Sequence, residues 1–479
     1  MLFNSFVFIV FFCLVFVIYW FVLPNRLKLQ NLFLLVASCV FYGWWDYRFL
    51  ILMGLSSLFG FASGYWIERR TDALQRKLIL SATIVANLIF LGFFKYYNFF
   101  AASFSELLLT AGFRVDDMTL KIILPIGISF YTFHNISYAI DVYRKELKPT
   151  DDIIAYFAFI SFFPQLVAGP IMKAKEFLPQ FFVHRHFDYS RAVQGMRFIL
   201  WGYFKKIVIA DGCGVLADAI FGSYTTQPSS VLVLGVFYFA IQIYGDFSGY
   251  TDIAIGLGKL FGFELTLNFK TPYFSRTIPE FWRRWHISLT SWFRDYIYIP
   301  LGGNRVTKVK SFRNILIVFL LSGLWHGANW TYVVWGLLYA LMYIPSIFFP
   351  DKNKLTPYIG FGKNVPSIKE VGQMMLTFVL VCVAWVFFRS VSITEAIHYF
   401  EAMATHSFMP SSLYYFSPLH MLPSLLILFV IEWINRDKDC QLDLSYNKAV
   451  RWSIYFLLLY LIFFNVNFHK ATEFIYFQF

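Results

Sequence analysis

The sequence predicts an all-α polytopic membrane protein, with about twelve transmembrane helices and additional re-entrant and interfacial helices. Three observations predict it. The 479 residues are 58% hydrophobic and only 14% charged, whereas a soluble domain carries roughly 25% charged residues. Apolar runs long enough to cross a bilayer, which takes about 20 residues, recur along the whole chain. Lys and Arg collect in the short stretches between those runs. Mean hydropathy is +0.59, and no long polar stretch could fold as a separate soluble domain. A single membrane domain, 1–479, is therefore expected.

In chain order, the expected crossings lie near 1–23, 29–46, 49–66, 78–98, 121–141, 207–221, 231–249, 315–330, 331–349, 371–388, 421–434 and 452–468. The first run has neither a basic leading region nor a small-residue cleavage site, so it reads as a retained helix and not as a signal peptide. The net charge of +12 would suggest nucleic acid in a soluble protein. Here it fits cytoplasmic loops facing anionic headgroups, so membrane lipid is the expected partner and nucleic acid is not. If the basic stretches between crossings are cytoplasmic, that side holds all of the 40 Lys and Arg except Arg48, Lys95, Arg114, Lys121, Arg389 and Lys470. Both termini then lie outside, in the periplasm of a Gram-negative cell.

The segment 152–182 breaks this scheme. Its first part, Asp152 to Gly169, is apolar enough to cross, yet a crossing would put the seven cations between Lys173 and Lys206 outside. It reads as a re-entrant or interfacial element, broken at Pro164, Gly169, Pro170 and Pro179 and tolerated only when buried in protein. The five Cys are scattered, which excludes a disulfide framework and any metal-ligand spacing. No metal site and no tightly bound cofactor are expected. The chain has no evident internal repeat, which counts against a transporter.

Chemistry concentrates in two stretches. Residues 266–313 are too polar to span and too aromatic for a free loop. Trp282, Trp285, Trp292, Phe281 and Phe293 alternate with Arg283, Arg284 and Arg294, as in amphipathic helices lying at the cytoplasmic interface. These arginines read either as headgroup anchors or as a cationic mouth for a phosphate-bearing donor, because guanidinium forks match phosphate oxygens. His286 lies within this stretch. The second stretch, LSGLWHGANW, places His326 between Trp325 and Gly327 in apolar surroundings. An ionisable residue at that depth suggests function, the bland alternative being a neutral His bonded to a carbonyl. Desolvation keeps such an imidazole neutral and able to accept a proton. Asp246, Asp252, His134, Asn135 and Asp141 are further polar residues in apolar runs. Each reads as a helix–helix contact or as a lining residue, with Asp246 and His134 the candidates to support the site.

WRRWHISLTSWFRDYIYIPLGGNR followed by LSGLWHGANW strongly resembles the membrane-bound O-acyltransferase family, in the branch that O-acetylates alginate or peptidoglycan. PIGISFYTFHNISYAIDVYR, FFPQLVAGPIMKAKEF, QIYGDFSGYTDIAIGLG and FIYFQF extend the resemblance along nearly the whole chain. It implies a fold with a central tunnel, a catalytic His326 and a second motif His at His286. It also implies a cytoplasmic thioester donor, acetyl-CoA, and an acceptor hydroxyl arriving from the other side. Trp325 and Asn329 join the supporting candidates, with Asn329 or Trp330 placed to hold an oxyanion. The expected function is O-acetylation of an extracytoplasmic polysaccharide from the bacterial inner membrane, with peptidoglycan the first choice and alginate the alternative. The resemblance implies a periplasmic esterase-fold partner, for which the loop 389–420 with Tyr414, Tyr415 and Phe416 is the expected docking surface. The rival from another class is an acyl-donor channel without chemistry of its own.

Overall fold

The structure, a computed structural model, describes residues 1–113, 118–349, 356–363, 365–408, 420–444, 446–466 and 472–475. Among these residues every regular element is helical. Each expected crossing overlaps a helix, and among the described residues seven helices are long and apolar enough to cross a membrane by length and composition. Phe6–Val22 and Leu422–Ile434 are shorter and apolar. Ile128–Tyr143 starts seven residues later than expected, because 118–127 is not helical and ends in a turn at Gly127. Many outward-facing side chains on these helices are large and apolar, among them Ile51, Leu55, Ile89, Leu376, Leu459 and Phe463. Only 6% of the Lys448–Asn465 window is buried. So much apolar surface suits lipid and not water. Tyr414, Tyr415, Phe416 and the last four residues of FIYFQF lie outside the described residues.

The chain folds into two compact units. The first comprises 1–189 and 258–266. In it, helix Arg48–Arg69 packs on Ile128–Tyr143 and on Ala73–Leu91. Polar side chains tie these helices together where no water can. Tyr156 Oη donates to Asn135 Oδ1 (2.8 Å), Asn135 Nδ2 to Ser56 Oγ (2.9 Å) and Ser56 Oγ to Asn87 Oδ1 (2.9 Å). Asn135 is thereby committed to helix packing, the commoner use of a polar residue inside a membrane protein. The segment 152–182 is broken into short helices, Ile153–Ser161, Phe163–Leu166, Ala174–Phe177 and Leu178–Phe182. Most of it is buried, and Arg185 fastens its end by donating to Asn31 Oδ1 (2.6 Å).

The second unit comprises 190–257 and 267–479. Helices Tyr189–Tyr203 and Asp211–Gly222 join through a π-helical stretch, Phe204–Ala210. This stretch carries Lys205 and Lys206, which the charge count had placed with the cytoplasmic loop. Both are buried in ion pairs instead. Lys205 meets Asp252 at 2.7 Å, and Lys206 meets Asp246 at 2.6 Å and Asp211 at 2.9 Å. Sequence counting cannot separate a loop cation from a neutralised buried one. Near the C-terminus, Ile475 N donates to Asp246 Oδ2 (2.7 Å), and Phe474 is buried against Phe247 and Tyr250. Helices Lys308–His326 and Trp330–Met342 form a close antiparallel pair. A Cβ at Gly323 would sit 2.2 Å from the Tyr332 carbonyl oxygen, and one at Gly327 would sit 2.1 Å from the Tyr332 ring. Only glycine permits that approach, which explains the small residues around His326.

Candidate functional site

The site grows from a corner in the second unit. Helix Ile278–Arg284 is capped by Thr277, whose Oγ1 accepts from Glu280 N (3.2 Å). Within it, Glu280 accepts from Arg276 Nε and Nη2 (3.0 and 2.9 Å) and from Arg284 Nη2 (3.0 Å). Burial opposes ionisation of Glu280, but the Arg276 and Arg284 guanidiniums outweigh it and hold the carboxyl below its usual range. Arg284 also donates to the carbonyls of Lys270 (3.3 Å) and Pro357 (2.9 Å). Its guanidinium is thus committed to a buried network. Arg283 is exposed, and so is Arg294, whose Nε donates to its neighbour Asp295 (2.7 Å). The three arginines that look alike in the sequence divide into one buried structural group and two at the surface.

Immediately after this helix the chain turns sharply at His286, which adopts a left-handed backbone with φ 47°. Positive φ is uncommon for a residue other than glycine. Asn268 braces the turn: its carbonyl accepts from Ile287 N (2.9 Å) and its side-chain Oδ1 from Ser288 N (3.2 Å). The turn aims the imidazole inward, where it is fully buried. Burial pushes the His286 pKa down to about 3, so the ring is neutral at working pH.

His326 is the last residue of helix Lys308–His326 and is 3% exposed. The structure brings it beside His286, with ring centroids 6.3 Å apart. Aromatic rings enclose the pair. Trp325 lies 5.0 Å from His326 and 5.8 Å from His286. The ring centroids of Trp335 and Phe388 lie 5.1 and 5.4 Å from that of His326, and that of Phe247 lies 4.6 Å from that of His286. Two imidazoles forty positions apart in the chain meet in one buried aromatic environment.

The other candidates scatter. Asn329 caps helix Trp330–Met342: its Oδ1 accepts from Thr331 N (3.0 Å) and its Nδ2 donates to the Val391 carbonyl (2.8 Å). Both ends of its amide already carry a hydrogen bond. Trp330 is half exposed. Asp246 holds Lys206 and Ile475 N, as above. His134 is buried in the first unit, its ring 5.5 Å from Phe159, with no hydrogen-bond partner among the described residues. Sequence reading missed Asn268, Trp335, Phe388 and Phe247, which build the surroundings of the two histidines. A lone Asn between Leu267 and Phe269 carried a faint signal, and the aromatics were hidden in a chain that is 22% aromatic.

Known proteins carry the same arrangement of sequence. Residues 142–351 match the profile of the membrane-bound O-acyltransferase family. The chain is 41% identical over 407 residues to the probable alginate O-acetylase AlgI of Pseudomonas aeruginosa, covering 84% of this chain and 75% of that protein. It is 34% identical over 432 residues to the peptidoglycan O-acetyltransferase of Helicobacter pylori, covering 84% and 80%. It is 27% identical over 273 residues to the teichoic acid D-alanyltransferase of Bacillus subtilis, covering 55% and 68%. The chain belongs to the membrane-bound O-acyltransferase family and is a multi-pass acyltransferase. Membership decides for an enzyme over a channel without chemistry.

Proposed function

We propose that this protein takes acetyl groups from cytoplasmic acetyl-CoA and passes them, through a central tunnel, toward hydroxyls of an extracytoplasmic polysaccharide. It would act in the bacterial inner membrane, both termini periplasmic, with an esterase-fold periplasmic partner completing transfer. The observation that carries this reading is the meeting of His286 and His326 in one aromatic chamber, 6.3 Å apart. His326 takes the proton from the attacking hydroxyl as its oxygen adds to the thioester carbonyl. The tetrahedral intermediate then collapses, the carbon–sulfur bond breaks, and the coenzyme A thiolate receives the proton from His326. General-base action of this kind contributes about 10²–10⁴-fold in rate. Arg283 and Arg294, exposed on the basic stretch, are the cations available to the donor's phosphates. Arg284 is the weaker candidate, because it is buried and its Nη1 and Nη2 already donate to Lys270, Glu280 and Pro357.

The names of the relatives support acetyl as the acyl group, and alginate or peptidoglycan as the kind of acceptor. Two measurements test the reading. Purified protein should release free coenzyme A from acetyl-CoA, faster with the partner present, and no release would refute the donor. Ester-linked acetate on peptidoglycan and on exopolysaccharide, compared between wild-type and deletion strains, identifies the acceptor. Unchanged acetate on both would refute polysaccharide O-acetylation.

A further inference from the structure

We infer that Asn268 is a positioning residue. It holds His286 in the tautomer protonated at Nδ1, so that Nε2 is presented to bound substrate as a hydrogen-bond acceptor. The inference rests on the reading of His286 and His326 as the reacting pair, and it assigns His286 a role within that pair.

The argument is one of donors and acceptors. Three groups converge on the side-chain Oδ1 of Asn268: Ser288 N (3.2 Å), Ser288 Oγ (2.9 Å) and His286 Nδ1 (3.2 Å). A backbone N–H can only donate, so the atom it meets must be the carbonyl oxygen of the amide and not its nitrogen. That oxygen can only accept, so His286 Nδ1 must donate to it. A neutral imidazole has one N–H. With Nδ1 protonated, Nε2 carries a lone pair.

Nε2 is buried and has no hydrogen-bond partner among the described residues. The ring's neighbours are aromatic faces and edges, Phe247, Phe269 and Trp325, together with the His326 imidazole. A buried acceptor left unsatisfied costs stability, and the left-handed turn that aims this one adds strain. Asn268 anchors the turn twice, through its backbone carbonyl to Ile287 N (2.9 Å) and through Oδ1. The fold therefore aims, beside His326, an acceptor that no described residue satisfies. Its complement is a polar hydrogen on the substrate, an O–H of the acceptor or an amide N–H of the pantetheine arm. In this state His286 has no hydrogen to offer an oxyanion, so that role falls to another group.

Nitrogen-15 spectra of histidine-labelled wild-type protein in detergent or lipid, assigned with a His286→Gln control, test the tautomer without relying on turnover. The expected result is a protonated Nδ1 and an unprotonated Nε2 at His286. A protonated Nε2 overturns the inference even if the enzyme is active. Acetyl-CoA turnover is then compared between Asn268→Ala, which removes the acceptor for Nδ1–H, and Asn268→Asp, which keeps it. The alanine variant should lose about 10- to 100-fold in kcat/KM, and the aspartate variant should recover most of the loss. A loss in kcat identifies the hydroxyl as the source of the polar hydrogen, and a rise in KM for acetyl-CoA identifies the pantetheine amide. Wild-type kinetics in the alanine variant, or equal loss in both variants when thermal denaturation shows them folded, overturns the inference. Failure of wild-type protein to use acetyl-CoA would instead refute the proposed donor and leave the tautomer measurement decisive for Asn268.

Discussion

Replacing Arg284 by alanine should destabilise the protein, whereas the same change at Arg283 should not, although the two are adjacent cations in one basic stretch. Arg284 Nη2 donates to Glu280 Oε1 (3.0 Å) and to the Pro357 carbonyl (2.9 Å), and Nη1 donates to the Lys270 carbonyl (3.3 Å). Truncation removes these contacts and leaves buried acceptors short of donors. Breaking a buried ion pair typically costs about 3–5 kcal/mol, but Arg276 still holds Glu280, so a loss of about 2–3 kcal/mol is expected. Arg283 is exposed, and a surface change of this kind usually stays within about 0.5 kcal/mol. Thermal denaturation of both variants in one detergent reads the difference, and KM for acetyl-CoA is measured alongside. Glu280 also gives the network a pH dependence. Its folded pKa lies below the ordinary value, so its contribution is present above the ordinary carboxylate range. It is lost as pH falls through the depressed folded value. An Arg284→Ala protein as stable as wild type, with a raised KM, would refute the argument and make that guanidinium a donor contact.

Arg283→Ala and Arg294→Ala should raise the KM for acetyl-CoA more than they lower kcat, as expected of contacts made equally in ground and transition states. Unchanged KM in both would assign these residues to headgroup anchoring. Asp252→Asn removes the ion-pair partner of Lys205 in the protein interior and leaves only the more distant Glu432 carboxyl, and should cost about 3–5 kcal/mol in thermal or denaturant unfolding. A neutral outcome would mean the pair is dispensable. All five Cys should be replaceable by Ser or Ala with turnover retained, since they are scattered. Complete loss in a folded Cys213→Ala protein would revive a thiol intermediate. In that Cys-free background, an impermeant thiol reagent on intact cells should label a cysteine placed at Glu401 and spare one at Lys308. The reverse pattern would invert the topology and the direction of acetyl flow.

The helices were legible because bilayer thickness imposes a length that can be measured along the sequence. The broken segment 152–182 was legible because its prolines and flanking cations conflict with a simple crossing. His326 and His286 stood out as ionisable groups in costly surroundings, but their proximity did not, since no pattern in the chain states that positions 286 and 326 fold together. The three arginines show a second limit. Charge and aromatic alternation mark Arg283, Arg284 and Arg294 equally, while only tertiary contacts assign Arg284 to Glu280. Lys205 and Lys206 failed in the same way, as loop-like cations neutralised by Asp252 and Asp246 from another helix. Asn329 has the position of a motif residue and the job of a helix cap. Asn268 carried only a faint signal, because what it does lies in three contacts to one side-chain oxygen.

The central claim is that His326 is the base of the acyl transfer, and acetyl-CoA turnover by purified His326→Ala protein tests it most directly. The measurement compares release of free coenzyme A with that of wild type, after thermal denaturation has established that the variant is folded. The account predicts a fall of about 10²–10⁴-fold in kcat with expression and melting nearly unchanged. Wild-type turnover in a well-folded His326→Ala protein would contradict it.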